Sequence, residues 1–308
     1  MPLSNKKPSQ EFDPLTSLLT RKSLRSQLHS LFRDGFVQVH QGNDAIHSLI
    51  MCDIDYFKSL NDIYSHAQGD KVLEIVGSVL MQSPDLQNGT CIAGRWGGEE
   101  LLLVIPNDLE HIAQSLAEGV REQISKTEIA NVTGPAGQIL PNPVTVSIGV
   151  HYVNIRSGIN RLSGIPDSYV QSREPMIDAY YIEALIADAL ARADVSLSYA
   201  KFSGRNKVEV FTERIAQEIQ NLSSIRRFYF MHSYKSPQKL QPLFQDEFLT
   251  KNRSIRGKMN KHFAIIRTEI SPQDTRTQAI FADRLYSDIV RMSEEAKSGF
   301  ISFISHYL

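Results

Sequence analysis

The sequence has two cysteines, one tryptophan and no long apolar run. Cys52 and Cys91 each sit among apolar residues with no His or second Cys at metal-ligand spacing, which excludes a disulfide framework and a zinc site. Both read as buried, reduced thiols. The lack of any stretch of about 18 apolar residues excludes a membrane-spanning helix. Residues 1–10 are polar, with Lys6 and Lys7 but no apolar run behind them, so the layout of a secretory signal is missing too. A soluble, cytoplasmic protein is expected. There is no internal repeat and no low-complexity tract.

What is present is ordinary globular composition, 42% hydrophobic and 22% charged, in 308 residues. That length suits one large domain or two of common size. The net charge of −1 is unevenly spread. Residues 1–214 carry 19 Lys+Arg against 25 Asp+Glu, and residues 215–308 carry 14 against 9. This change of sign, from −6 to +5, marks a boundary near Arg214.

Apolar spacing over 16–32 predicts a first helix, capped by Thr16 and stopped by Gly35. Residues 46–54 form an apolar run that ends in Asp53 and Asp55, the pattern of a buried strand delivering carboxylates at its carboxyl end. A second amphipathic helix is expected over 70–81, for which Asp70 would also serve as N-cap. Two strand-like runs, 92–96 and 99–105, flank Gly97-Gly98 and read as a hairpin with a tight two-glycine turn. Residues 109–124 are helical, 144–150 a β-branched strand, 180–201 a helix, and 207–211 a last strand. Between them, 154–178 lacks periodicity and reads as a surface insertion. The order predicts an α/β fold with a mixed central sheet flanked by helices.

Four pieces carry the chemistry: Asp13-Pro14-Leu15-Thr16; Asp53-Ile54-Asp55-Tyr56-Phe57-Lys58 continuing to Asn61, His66 and Gly69-Asp70; Arg95-Trp96-Gly97-Gly98-Glu99-Glu100-Leu101; and Ala193-Asp194 continuing to Lys201 and Gly204-Arg205-Asn206. In this order and register they resemble the GGDEF-domain diguanylate cyclases, over about residues 13–211. Each piece alone is a weak signal, and the four together are a specific one.

The resemblance implies a nucleotidyl-cyclase-like palm and condensation of two GTP into cyclic di-GMP with release of two pyrophosphates. It implies Asp53, Glu99 and the backbone carbonyl of Ile54 as ligands of Mg²⁺, with Mn²⁺ as a substitute. Such a sparse oxygen set suits a hard ion that also takes phosphate oxygens. Glu100, in the second acidic position, would assist the metals or help deprotonate the attacking 3′-hydroxyl. Gly97 and Gly98, free to adopt positive φ, would let the nucleotide approach the backbone. Asn61 and Asp70 would read guanine, whose edge offers donors to a carboxylate and acceptors to an amide. Lys58, Lys201 and Arg205 would neutralise the triphosphate, and Phe57 would shape the loop as a core anchor. Each domain would hold one GTP, so a two-fold homodimer, at least transient, is expected.

Against each of these stands a plainer reading: a solvated strand-end Asp, a simple hairpin, a turn Asn, surface cations. A second functional class is a catalytically silent module that binds GTP or cyclic di-GMP and acts through protein contacts. A mixed GMP/AMP product is a further alternative that Asp70 weighs against. Ser17 and Ser65 replace glycines of the resembled pattern, Trp96 and Ser198 replace tyrosines, and the Arg-x-x-Asp product site is replaced by Asn88 and Cys91. Product inhibition through that site is therefore not expected.

The domain plan is a polar tail over 1–12, a catalytic domain over 13–213 and a mainly helical region over 214–308 that resembles nothing recognised. Phe281, Leu285, Ile289, Met292, Ala296, Phe300 and Phe303 fall on one stripe of a single long helix, either internal packing or a dimer seam. The basic cluster Lys251, Arg253, Arg256, Lys258 and Lys261 reads as a solvated face, and nucleic acid is not an expected partner.

Overall fold

The computed structural model describes residues 11–129, 144–161, 179–232, 237–271, 274–291 and 293–308. The chain divides into two compact units between Ile215 and Ala216. Most of the tail over 1–12, most of the insertion expected over 154–178, and Met292 lie outside the described residues.

The first unit runs β1 (Leu19–Thr20), α1 (Arg21–His40), β2 (Ile46–Ile54), α2 (Phe57–Tyr64), α3 (His66–Met81), α4 (Pro84–Gln87), β3 (Ile92–Gly97), β4 (Glu100–Ile105), α5 (Ala113–Lys126), β5 (Val146–Asn154), α6 (Ile155–Arg161), α7 (Ala179–Phe202) and β6 (Val208–Val210). Among the described residues the strands form one mixed sheet in the order β1-β3-β4-β2-β5-β6. Strand β2 lies inside it, antiparallel to β4 on one side and to β5 on the other. Eight of its nine residues are buried because helices cover both faces. The period of two sorts the side chains. Ile50, Cys52, Leu101 and Leu103 face the layer of α2, α3 and α5. Leu49, Met51, Leu102 and Val104 face that of α1 and α7. Both cysteines are free and buried.

Several local expectations change. Helix α1 starts at Arg21, and Thr20, not Thr16, caps it by accepting from the Ser23 N–H. Thr16 is instead tied into a turn by Asp13, and Gly35 lies buried inside the helix rather than ending it. Helix α3 begins four residues before Asp70, which is therefore not its cap. Gly97 is the last residue of β3 and pairs with Glu100, so the two-residue turn is Gly98-Glu99. The described start of the supposed insertion is the end of β5 and helix α6, with Ile155 and Ile159 buried.

The second unit is helical, as the sequence suggested. It contains most of α8 (Glu213–His232), then α9 (Pro237–Phe244), α10 (Glu247–Lys251), α11 (Arg253–Glu269), α12 (Thr275–Val290) and α13 (Glu294–His306). The single long helix expected over 281–303 is two helices, restarted by Ser293, whose hydroxyl accepts from the Ala296 N–H. Leu285, Ile289, Ala296, Phe300 and Phe303 of the stripe are buried in this unit, where Phe303 packs on the rings of Phe228 and Phe248. That packing consumes the face that a dimer seam would need. No helix among the described residues is long and apolar enough to cross a membrane.

Candidate functional site

The carboxyl end of β2 is where the sequence pieces converge. Asp53 is 6% exposed and stands in register with Glu100 of β4 on one side and Ser147 of β5 on the other. The turn Gly98-Glu99 follows directly on β3, which brings Glu99 beside it. Lys201, in the last turn of α7, places its Nζ 2.8 Å from Asp53 Oδ2. It reaches there because α7 lies hard against β5: a Cβ on Gly149 would come within 2.2 Å of the backbone at Ala193 and Leu197. Burial raises the Asp53 pKa, the Lys201 ammonium pulls it back, and Glu99 and Glu100 add to the rise, leaving it at about 6.

Asp53, paired with one ammonium and repelled by Glu99 and Glu100, belongs to an acidic site short of positive charge, which suits a hard divalent cation. Among the described residues no three His, Cys, Asp or Glu side chains gather closely enough to hold an ion unaided. A metal there would complete its shell from the Ile54 carbonyl, water or a phosphate.

Asp55, which the sequence reading left without a role, is the other buried carboxylate of the strand end. Its Oδ1 accepts from the Ser147 hydroxyl at 2.6 Å, and its Oδ2 accepts from the Thr145 hydroxyl at 2.7 Å and the Asn206 N–H at 3.0 Å. With its lone pairs engaged it serves as a tie rather than a metal ligand. It joins β2, the start of β5 and the loop carrying Arg205, whose Nε is 4.0 Å from Oδ1. The hydroxyls and the loop lie 90 or more residues away in sequence. Only the Asp-x-Asp spacing itself hinted at a second structural carboxylate.

The hairpin tip is anchored from behind. Arg95 donates from Nε to the Gly98 carbonyl at 2.9 Å and pairs through Nη1 with Asp13 at 3.3 Å. Burial opposes the Asp13 charge, but hydrogen bonds from Thr16 and the Arg95 guanidinium outweigh it and lower the pKa. Neither Gly97 nor Gly98 has a positive φ, contrary to expectation. What they supply is bare backbone: a Cβ on Gly98 would meet nothing within 4 Å, which leaves room for a ligand.

Asn61 and Phe57 meet where α2 packs on α3. A Cβ on Gly69 would fall 1.9 Å from Asn61 Oδ1 and 3.2 Å from Phe57 Cζ, so glycine there creates the space that Asn61 occupies. Asn61 Oδ1 is buried and has no hydrogen-bond partner, an acceptor waiting for a donor. Phe57 is a core residue. Asp70 follows Gly69 on the exposed side of α3, and Lys58 is exposed in the first turn of α2.

A family model described as "Diguanylate cyclase, GGDEF domain" matches residues 10–171, more than half of the chain. The chain belongs to the GGDEF family. The GGDEF hairpin is its Gly97-Gly98-Glu99-Glu100. Diguanylate cyclase VdcA of Vibrio cholerae serotype O1 is 33% identical over 197 residues, covering 64% of this chain and 46% of that protein. Diguanylate cyclase DgcM of Escherichia coli K12 is 34% identical over 150 residues, 49% of this chain and 32% of that one. The chain thus spans less than half the length of these curated relatives. Among solved structures, the GGDEF domain of DgcB from Caulobacter crescentus in complex with c-di-GMP is 24% identical, with 66% of this chain and 97% of that one covered at a TM-score of 0.46.

Proposed function

We propose that this GGDEF chain is a diguanylate cyclase, condensing two GTP into cyclic di-GMP and two pyrophosphates, with Mg²⁺ as the physiological cation and Mn²⁺ as a substitute. The observation that carries this reading is the buried Asp53, set beside Glu99 and Glu100 at the carboxyl end of β2 and paired with Lys201.

Asp53, Glu99 and the Ile54 carbonyl would hold the cation, which when bound supplies charge neutralisation to the triphosphate. Asn61 offers its unpartnered Oδ1 to a guanine N–H, and Asp70 presents its carboxylate to the same base edge. Lys58, Lys201 and Arg205 meet the phosphates, Lys201 leaving Asp53 to do so. The bare Gly98 backbone admits the nucleotide against the turn.

In the reaction the 3′-hydroxyl oxygen of one GTP forms a bond to the α-phosphorus of a facing GTP, and the bond from that phosphorus to pyrophosphate breaks. Glu100 would take up the hydroxyl proton or assist the cation. The step occurs twice, each half-site belonging to one copy, so catalysis is assigned to a two-fold dimer. Most of the acceleration comes from alignment and charge compensation.

The test incubates the purified chain with Mg²⁺ and labelled GTP, alongside Glu99→Ala and Asp53→Ala. Cyclic di-GMP from the wild type and none from either folded variant is expected. Nucleotide binding without a cyclic product would instead identify a silent binding module, and equal turnover by the variants would reject the metal ligands.

A further inference from the structure

Tyr56 lies between Asp55 and Phe57 and is held in an unusual way. Its φ of 59° and ψ of 20° place a bulky aromatic residue in the left-handed region, and its side chain leaves it 63% exposed. Such a conformation is disfavoured for a large side chain and persists where the surroundings impose it. On the facing loop, Gly204, Arg205 and Asn206 run through three consecutive positive φ values of 125°, 63° and 46°.

The two unusual segments meet at one side chain. The Arg205 guanidinium carbon stands 4.5 Å from the centre of the Tyr56 ring. Its Nε lies 4.0 Å from Asp55 Oδ1, and the next residue's N–H is fixed on Asp55 Oδ2 at 3.0 Å. A ring, a carboxylate and a pinned backbone therefore locate this cation, while its side chain remains 37% exposed and open to a ligand. An Arg already located loses less rotamer freedom when it binds an anion.

We propose that Tyr56 is a positioning residue for the triphosphate: its ring, together with Asp55, holds the Arg205 guanidinium ready for the phosphate oxygens. This rests on the reading of Arg205 as a phosphate-binding residue. Tyr56 itself touches no phosphate in this assignment, and its worth is what an exposed cation–π contact is worth.

The probe is 3′-deoxy-GTP with Mg²⁺, which carries base and triphosphate but no attacking hydroxyl, titrated calorimetrically into the full chain. Tyr56→Ala is expected to weaken binding by about two- to fivefold, and Tyr56→Phe to restore it. In an Arg205→Ala background, Tyr56→Ala should have no further effect. The melting temperature should not move, since the ring is mostly exposed. Wild-type affinity in Tyr56→Ala, or an equal loss in the Arg205→Ala background, would overturn the positioning role while leaving the enzyme reading intact. Unchanged binding by Arg205→Ala alone would remove its premise, and no binding by the wild type would overturn both readings together.

Discussion

Lys201 and Asp53 form a partly buried ion pair of 2.8 Å at the point where the GGDEF hairpin meets the end of the central strand. The ammonium favours the Asp53 charge, while burial and two acidic neighbours, Glu99 and Glu100, oppose it. Burial and the two acidic neighbours outweigh the ammonium, so the Asp53 charge is costly in the metal-free protein.

The pH dependence of stability follows from that cost. Asp53 has a folded pKa of about 6 against an ordinary value of 3.8. The native state therefore binds the proton more tightly than the unfolded chain, and stability falls as pH rises from the unfolded to the folded value. Without metal, Asp53→Asn should be more stable than wild type at pH 7.5, by up to about 2–3 kcal/mol. The gain should vanish below about pH 4. Denaturant unfolding at the two pH values measures it, and equal differences at both would contradict the assignment.

Gly69→Ala tests the proposed base-reading role of Asn61. The added Cβ would fall 1.9 Å from Asn61 Oδ1, so the amide must leave its place. Loss of a single well-placed hydrogen bond corresponds to about tenfold in GTP affinity. ATP, which gains nothing from this amide in the proposed reading, should bind no worse than before.

Ser65 joins α2 to α3 with φ 91° and ψ 158°, a region essentially reserved for glycine. Ser65→Gly should stabilise the chain by about 1 kcal/mol, the released strain exceeding the entropy that glycine adds to the unfolded state. A lower thermal midpoint in the variant would show that the hydroxyl has a role of its own.

In the C-terminal unit, Glu218 accepts from both Lys297 and the Tyr286 hydroxyl, and the Lys297 and Glu218 side chains are only 14% and 12% exposed. Lys297→Met removes a cation from a buried carboxylate and should cost about 3 kcal/mol. Adding Glu218→Gln should recover most of it, which a double-mutant cycle by chemical denaturation would reveal.

The apolar runs of β2, β4 and α7 were legible in the sequence because burial on both faces of a sheet, or along a helix, imposes a period that neighbours in the chain display. The Gly97-Gly98-Glu99-Glu100 segment was legible for a related reason: its chemistry is packed into adjacent residues. The ends of elements were less so. Thr16 and Thr20 are equally good caps by composition, and only the claim of Asp13 on Thr16 decided between them. The apolar stripe from Phe281 to Phe303 reads as one helix because 3.6-residue periodicity carries on through a break that Ser293 makes by capping a new helix.

The sequence by itself determined which residues are candidates for the proposed chemistry: two strand-end aspartates, two hairpin glutamates, an amide and a few cations. Tertiary structure decided how they are divided. Asp53 and Asp55 look equivalent in the chain, yet Thr145, Ser147 and Asn206, all contributed from distant segments, saturate Asp55 and make it a structural tie. Asp53 is left with an ammonium and two like-charged neighbours. The difference is one of hydrogen-bond supply, which depends on which strands and loops become neighbours in the sheet, and no local pattern encodes that.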